Sequence, residues 1–189
     1  MNLDPAQKAR NEAFRKIGRN VVNYQRLEGL LKALLKFSRV HGTAEDLESR
    51  VTKQNSSIEM KSMGSLVGTM FDTVLSENAI PEAPEDTGVP WFSAKFEVEL
   101  EQQEKEKLKR ALADIVDERN LLIHQKLTHT NFNSIQSCDD LSKELESQRA
   151  KLLPIYRRIH AILKSKAEIH EKISEYLNSA ELMEFTANK

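Results

Sequence analysis

The chain has 189 residues, 39% apolar and 30% charged, with only 6 Gly and 5 Pro, so it can bury its own core and has few helix breakers. That composition points to an all-α protein. A formal net charge of -1 excludes a global electrostatic pull toward nucleic acid or anionic membrane, and any RNA contact must be a local site. The single cysteine, Cys138, excludes an intramolecular disulfide and fits a reducing compartment.

The longest apolar run is far shorter than the roughly 20 residues of a membrane helix. The start, MNLDPAQKARNEAFRK, alternates charge and does not read as a signal peptide. A cytoplasmic protein without a membrane segment is expected.

The elements follow in chain order. Asp4 and Pro5 read as an N-cap followed by proline at the first helical position. The helix they open runs to about Val40, where His41-Gly42-Thr43 break it, with His41 capping its last carbonyls. Phe14, Ile17, Val21, Tyr24, Leu31 and Leu35 form its apolar stripe. Glu28 falls in the middle of that stripe, where a carboxylate needs a partner.

Thr43 and Asp46 stand at capping-box spacing and open a short helix to about Lys53. A third helix is expected from about Ile58 to Ser76, burying Met63, Leu66, Val67, Met70, Phe71, Val74 and Leu75. The stretch NAIPEAPEDTGVPWF, rich in proline and acids, reads as an exposed loop whose Trp91 and Phe92 tuck it back onto the body.

The next helix is expected from about Ser93 to Leu127. Its first half, KFEVELEQQEKEKLKR, is a wet, charged face. Its second half is amphipathic through Leu108, Leu112, Ile115, Val116, Leu122, Ile123 and Leu127.

After the polar loop THTNFNSIQ, Ser137 and Asp140 mark the start of the last helix. Leu141, Leu145, Leu152, Ile155, Ile159, Ile162, Ile169, Ile173 and Tyr176 form a heptad seam there, and Gln148 and Lys166 fill the remaining slots. Such a helix reaches about 60 Å, with a kink expected at Pro154. That is longer than a bundle of this size requires. The chain therefore reads as a single helical domain over 1–189, an antiparallel helical bundle with a long C-terminal helix. Residues 164–189 form a helical extension that packs on a second chain or folds back.

Arg119 lies inside the apolar arc of its helix, within about 60° of Leu112, Ile115, Leu122 and Ile123. A guanidinium there needs an anion, and Glu28 is the expected partner. Asn120 and His124 share a face one turn apart. On an ideal helix His124 points about 140° from Arg119, although helix ends depart from ideal geometry.

These residue types suit metal-free cutting of RNA. His124 can move a proton at neutral pH. Arg119 can hold a phosphate by two hydrogen bonds and stabilise charge on its oxygens. Asn120 can position either group. Such a site uses the ribose 2′-hydroxyl as nucleophile and spares DNA.

No metal or cofactor is expected. His129 could join His124, but no carboxylate or cysteine completes a ligand set. No Gly-rich phosphate loop, GxSxG elbow or HExxH occurs. Cys138 has no base beside it, and His160 and His170 lie off the seam, toward solvent.

The hexapeptide Arg119-Asn120-Leu121-Leu122-Ile123-His124 resembles the R-x4-6-H signature of HEPN domains (higher eukaryotes and prokaryotes nucleotide-binding). The resemblance covers the bundle order and this hexapeptide, about residues 15 to 165. It implies a helical bundle in which two copies of the motif meet across a dimer interface.

Many members are metal-independent ribonucleases of toxin–antitoxin, phage-defence or CRISPR-associated systems, whereas others have lost activity and bind nucleotides or partners. By the same resemblance, Arg119, Asn120 and His124 are catalytic, Glu28 is supporting, and a homodimer, an RNA substrate and an antitoxin partner are expected. The alternative is a catalytically silent helical module whose heptad seam carries dimerisation or partner binding.

Overall fold

The computed structural model describes residues 4–76 and 89–178. Residues 78–88 of the expected loop over 78–92, and the end of the extension, 179–189, lie outside the described residues. The protein is a helical bundle with a small two-stranded sheet, and among the described residues no helix is long and apolar enough to cross a membrane.

Helix α1 spans Pro5–Leu35 behind Asp4, with the proline at its start as expected. It buries Ile17, Tyr24, Leu31 and Leu35, while Phe14 is half-exposed against the ring of Phe132 at 4.8 Å. The expected run to Val40 does not form. Lys36 leaves helical geometry and Phe37 takes φ 57, a left-handed turn that ends α1.

Strand β1, Arg39–Thr43, then pairs antiparallel with β2, Trp91–Lys95, with His41 opposite Ser93 and Thr43 opposite Trp91. His41 therefore sits in a strand beside Trp91 and does not cap α1. Gly42 is required at this corner, because a Cβ there would stand 2.5 Å from Asp46 Oδ1.

The capping-box spacing at Thr43 and Asp46 forms its reciprocal bonds: Thr43 N–H donates to Asp46 Oδ1 at 2.8 Å and Asp46 N–H to Thr43 Oγ1 at 3.4 Å. Helix α2 runs Leu47–Glu59, and α3, Met63–Thr73, starts behind Ser62, whose hydroxyl accepts from Ser65 N–H. Ile58, expected to open the third helix, is a buried residue of α2. The seven expected positions from Met63 to Leu75 are all buried.

Helix α4 spans Gln102–Leu121, a π-helical turn covers Leu122–Lys126, and α5 is the single turn Leu127–His129. Ser93 belongs to β2, so the charged stretch only becomes helical at Gln102. Helix α6, Ile135–Leu177, is capped by Ser134 rather than Ser137 and continues through Pro154.

Helix order can be read from contacts. Arg10 reaches Phe132 O, Asn20 reaches Leu145 O and Lys166 reaches Leu34 O, so α1 and α6 run parallel. Arg158 meets Glu104 while Lys151 meets Glu118, so α4 is antiparallel to α6. The antiparallel expectation thus holds for α4 on α6 but not for the pair of longest helices.

Two polar devices lie inside the α1–α6 seam. Asn20 Nδ2 donates to Leu145 O at 2.8 Å, and Tyr24 OH donates to Gln148 Oε1 at 3.3 Å. Further along, Lys166 is only 4% exposed. Its ammonium donates to Leu34 O at 2.8 Å, to Ser38 Oγ at 3.0 Å and to Lys36 O. It thereby caps the C-terminal carbonyls of α1, where a cation also meets the negative end of the helix dipole.

Burial pushes the Lys166 ammonium down to about 8 from 10.5. Lys166→Met leaves Leu34 O with the Ser38 hydroxyl as a remaining donor and takes the lysine partner from Lys36 O. Urea unfolding should register a loss of about 1–3 kcal/mol in all. Between pH 8 and 10.5 the unfolded chain keeps a proton that the folded one has released. Stability of the parent should therefore rise with pH across that window relative to the methionine variant.

Candidate functional site

The hexapeptide straddles the end of α4. Leu108, Leu112 and Ile115 bury one face of the helix, and Leu122 buries the first residue of the π-helical turn. In that turn Leu127 N–H donates to Leu122 O, five residues back. A turn of this kind holds an extra residue and brings positions five apart toward one line.

Arg119 is half-buried, whereas Asn120 and His124 are exposed. Arg119 NH1 donates to Asn120 Oδ1 at 2.9 Å, which holds the guanidinium at the helix surface and leaves its other N–H groups available. Asn120 and His124 line one open groove of about 410 Å³ with Asp117, Glu118, Leu121 and Gln125. Arg119 does not line it. The structure thus joins Arg119 to Asn120 and sets Asn120 beside His124.

Glu28 takes no part. Its carboxylate pairs with Lys32 one turn along α1 at 3.1 Å, so the expected Glu28–Arg119 ion pair is replaced by a local one. A lysine four positions after a carboxylate satisfies it without help from another helix. Arg119 in turn escapes the core by sitting at its edge, and a neighbouring amide suffices.

Acidic groups around the groove were not anticipated from the sequence. Glu118 turns inward: one oxygen accepts from Lys151 Nζ at 2.5 Å, and the other is buried with no hydrogen-bond partner among the described residues. Burial first, then the charges of Glu118 and Glu144, push the Tyr24 phenol well up. Lys126, two residues after His124, is held by Glu144 at 2.8 Å. Positive charge at this end of α4 is therefore supplied by Arg119, while Lys126 and Lys151 are neutralised.

Among the described residues no three His, Cys, Asp or Glu side chains are grouped to hold a metal. Cys138 is buried, with its sulfur on Phe132 O at 3.6 Å. His160 is exposed and stacked on Tyr156. Burial, then the charge of Lys166, lower the His170 imidazole.

No protein-family model, curated protein or solved structure matches the chain.

Because Glu28 and Arg119 have separate partners, their effects on stability should be independent. In a double-mutant cycle of Glu28→Gln and Arg119→Ala, urea unfolding should give additivity within about 0.5 kcal/mol. A larger coupling would show that the two charges meet.

Proposed function

We propose that the Arg119–Asn120–His124 face is one half of a metal-independent ribonucleolytic site, completed when two copies set these faces together, as the HEPN resemblance implies. The observation that carries this reading is the chain of contacts at one helix end. Asn120 holds the guanidinium of Arg119 and also lines the groove that His124 lines. An anion-binding group and a proton carrier are thereby linked through one amide.

In the reaction, an imidazole takes the proton of the ribose 2′-hydroxyl, and the 2′-oxygen attacks the adjacent phosphorus. The 2′-O–P bond forms and the P–O5′ bond breaks, leaving a 2′,3′-cyclic phosphate. The imidazolium of either copy returns the proton to the departing 5′-oxygen. Arg119 binds the phosphoryl oxygens as their charge grows.

One groove by itself is shallow and carries Asp117 and Glu118 on its wall, so pairing of grooves supplies the second arginine and histidine. A toxin or defence role with an antitoxin partner rests on the same resemblance.

Purified protein should cut single-stranded or structured RNA in EDTA, spare the matching DNA, and lose activity in both Arg119→Ala and His124→Ala. Equal cutting by parent and variants would remove the assignment.

A second reading, a helical partner-binding module, is favoured by one specific observation. The seam of α6 continues past the bundle as Ile169, Ile173 and Tyr176, and all three are exposed. Under this reading Ile173→Asp shifts the mass measured by sedimentation, and the parent shows no RNA cleavage.

A further inference from the structure

Away from α4, the two-stranded ribbon and α2 form a second polar site. The alternation of the ribbon places Arg39, His41 and Thr43 on the same face as Lys95, Ser93 and Trp91. This polar face is half-buried, while Phe92 and Ala94 on the opposite face are exposed. That is the reverse of the usual arrangement of a ribbon on a core, in which apolar residues face inward.

Three groups on the half-buried face have a buried polar atom with no hydrogen-bond partner among the described residues: His41 Nδ1, Ser93 Oγ and Trp91 Nε1. They are neighbours. His41 is paired across the ribbon with Ser93, and its ring lies 6.1 Å from that of Trp91. Each buried polar atom left unpaired costs about 1–3 kcal/mol. Three of them on one small face call for something that supplies hydrogen-bonding atoms.

A cleft of about 640 Å³ opens at the His41 end of this face; His41 forms one wall, while Ser93 and Trp91 lie behind it and do not line the cleft. The other wall is α2, which presents Ser49, Arg50, Lys53, Gln54 and Ser57 at three- and four-residue spacing, one face of the helix. The side chains on this wall can all donate hydrogen bonds. Asp46 stands at the end of the cleft, and its carboxylate is already engaged by Thr43 N–H at 2.8 Å and Arg50 Nε at 2.6 Å.

Lys53 is exposed and pairs with no carboxylate among the described residues. The cleft is thus rich in donors, carries a free ammonium, and has its one acid neutralised.

We infer that the cleft between α2 and the β1–β2 ribbon binds a phosphate-bearing small molecule, with Lys53 as its charge partner and His41 at its inner wall. A phosphoryl group supplies acceptor oxygens to a donor-lined wall, and an ammonium binds it as a point charge. The cleft volume falls in the range of small-ligand sites, about 300–1,000 Å³. This site does not depend on the ribonucleolytic reading, because none of its residues lies on α4.

Trp91 is the only tryptophan in the chain, and its ring lies 6.1 Å from that of His41 on the cleft wall, so its fluorescence senses changes around His41. The full chain is titrated with inorganic phosphate, with pyrophosphate, and with sodium chloride at matched ionic strength. A saturable change in Trp91 emission is expected with phosphate or pyrophosphate and not with chloride. Lys53→Ala, an exposed change whose fold is checked by circular dichroism, should weaken binding by about tenfold or more. Arg119→Ala should leave it unchanged.

The same response to chloride, no saturable response into the millimolar range, or undiminished binding by Lys53→Ala would each overturn the inference. No response at all would mean that the buried donors are met by water.

Discussion

Asn20 of α1 buries its amide against the Leu145 carbonyl of α6, with the Tyr24–Gln148 bond one turn further on and the Lys166 cap at the end of α1. Leucine packing by itself tolerates a slide of one helix along another. These groups do not, because a slide would leave several buried polar atoms without partners, at about 1–3 kcal/mol each. The parallel alignment of α1 and α6 is therefore set by a few polar contacts within an apolar seam. Buried polar residues are best attested in this register-setting role.

From that alignment the position of the candidate site follows. Helix α4 lies antiparallel on α6, pinned by Arg158 to Glu104, Lys151 to Glu118 and Lys126 to Glu144. The last two contacts bracket the hexapeptide. With Glu118 drawn inward and Leu122 buried, Asn120 and His124 are left on the outer side. The π-helical turn lets Leu122 stay in the core while Lys126 still reaches Glu144. One extra residue in the turn thus reconciles packing on α6 with display of the histidine.

The helices and their buried faces were legible wherever apolar periodicity was strong, as from Met63 to Leu75, where all seven expected positions are buried. The ribbon was missed because Arg39–Thr43 and Trp91–Lys95 turn polar side chains inward, so alternation gives no apolar core face. Val40, Thr43, Trp91 and Phe92 were the available signal, as residues that favour strands.

Lys166 and Gln148 were visible as breaks in the heptad seam, but their partners, among them carbonyls, the Ser38 hydroxyl and the Tyr24 phenol, come from far along the chain. The Glu28–Arg119 pair failed for the opposite reason. A partner at i+4 was present in the sequence, and local pairing took precedence over a contact between helices.

The proposed ribonucleolytic site would hold RNA phosphate at the end of α4. This is tested most directly by following ring and amide NMR signals while a 2′-O-methylated RNA oligonucleotide, which cannot be cut, is added. Shifts should concentrate on Arg119, Asn120 and the His124 ring and saturate together. Shifts confined to α2 and the ribbon, or a His124 ring that does not respond while RNA binds, would contradict it.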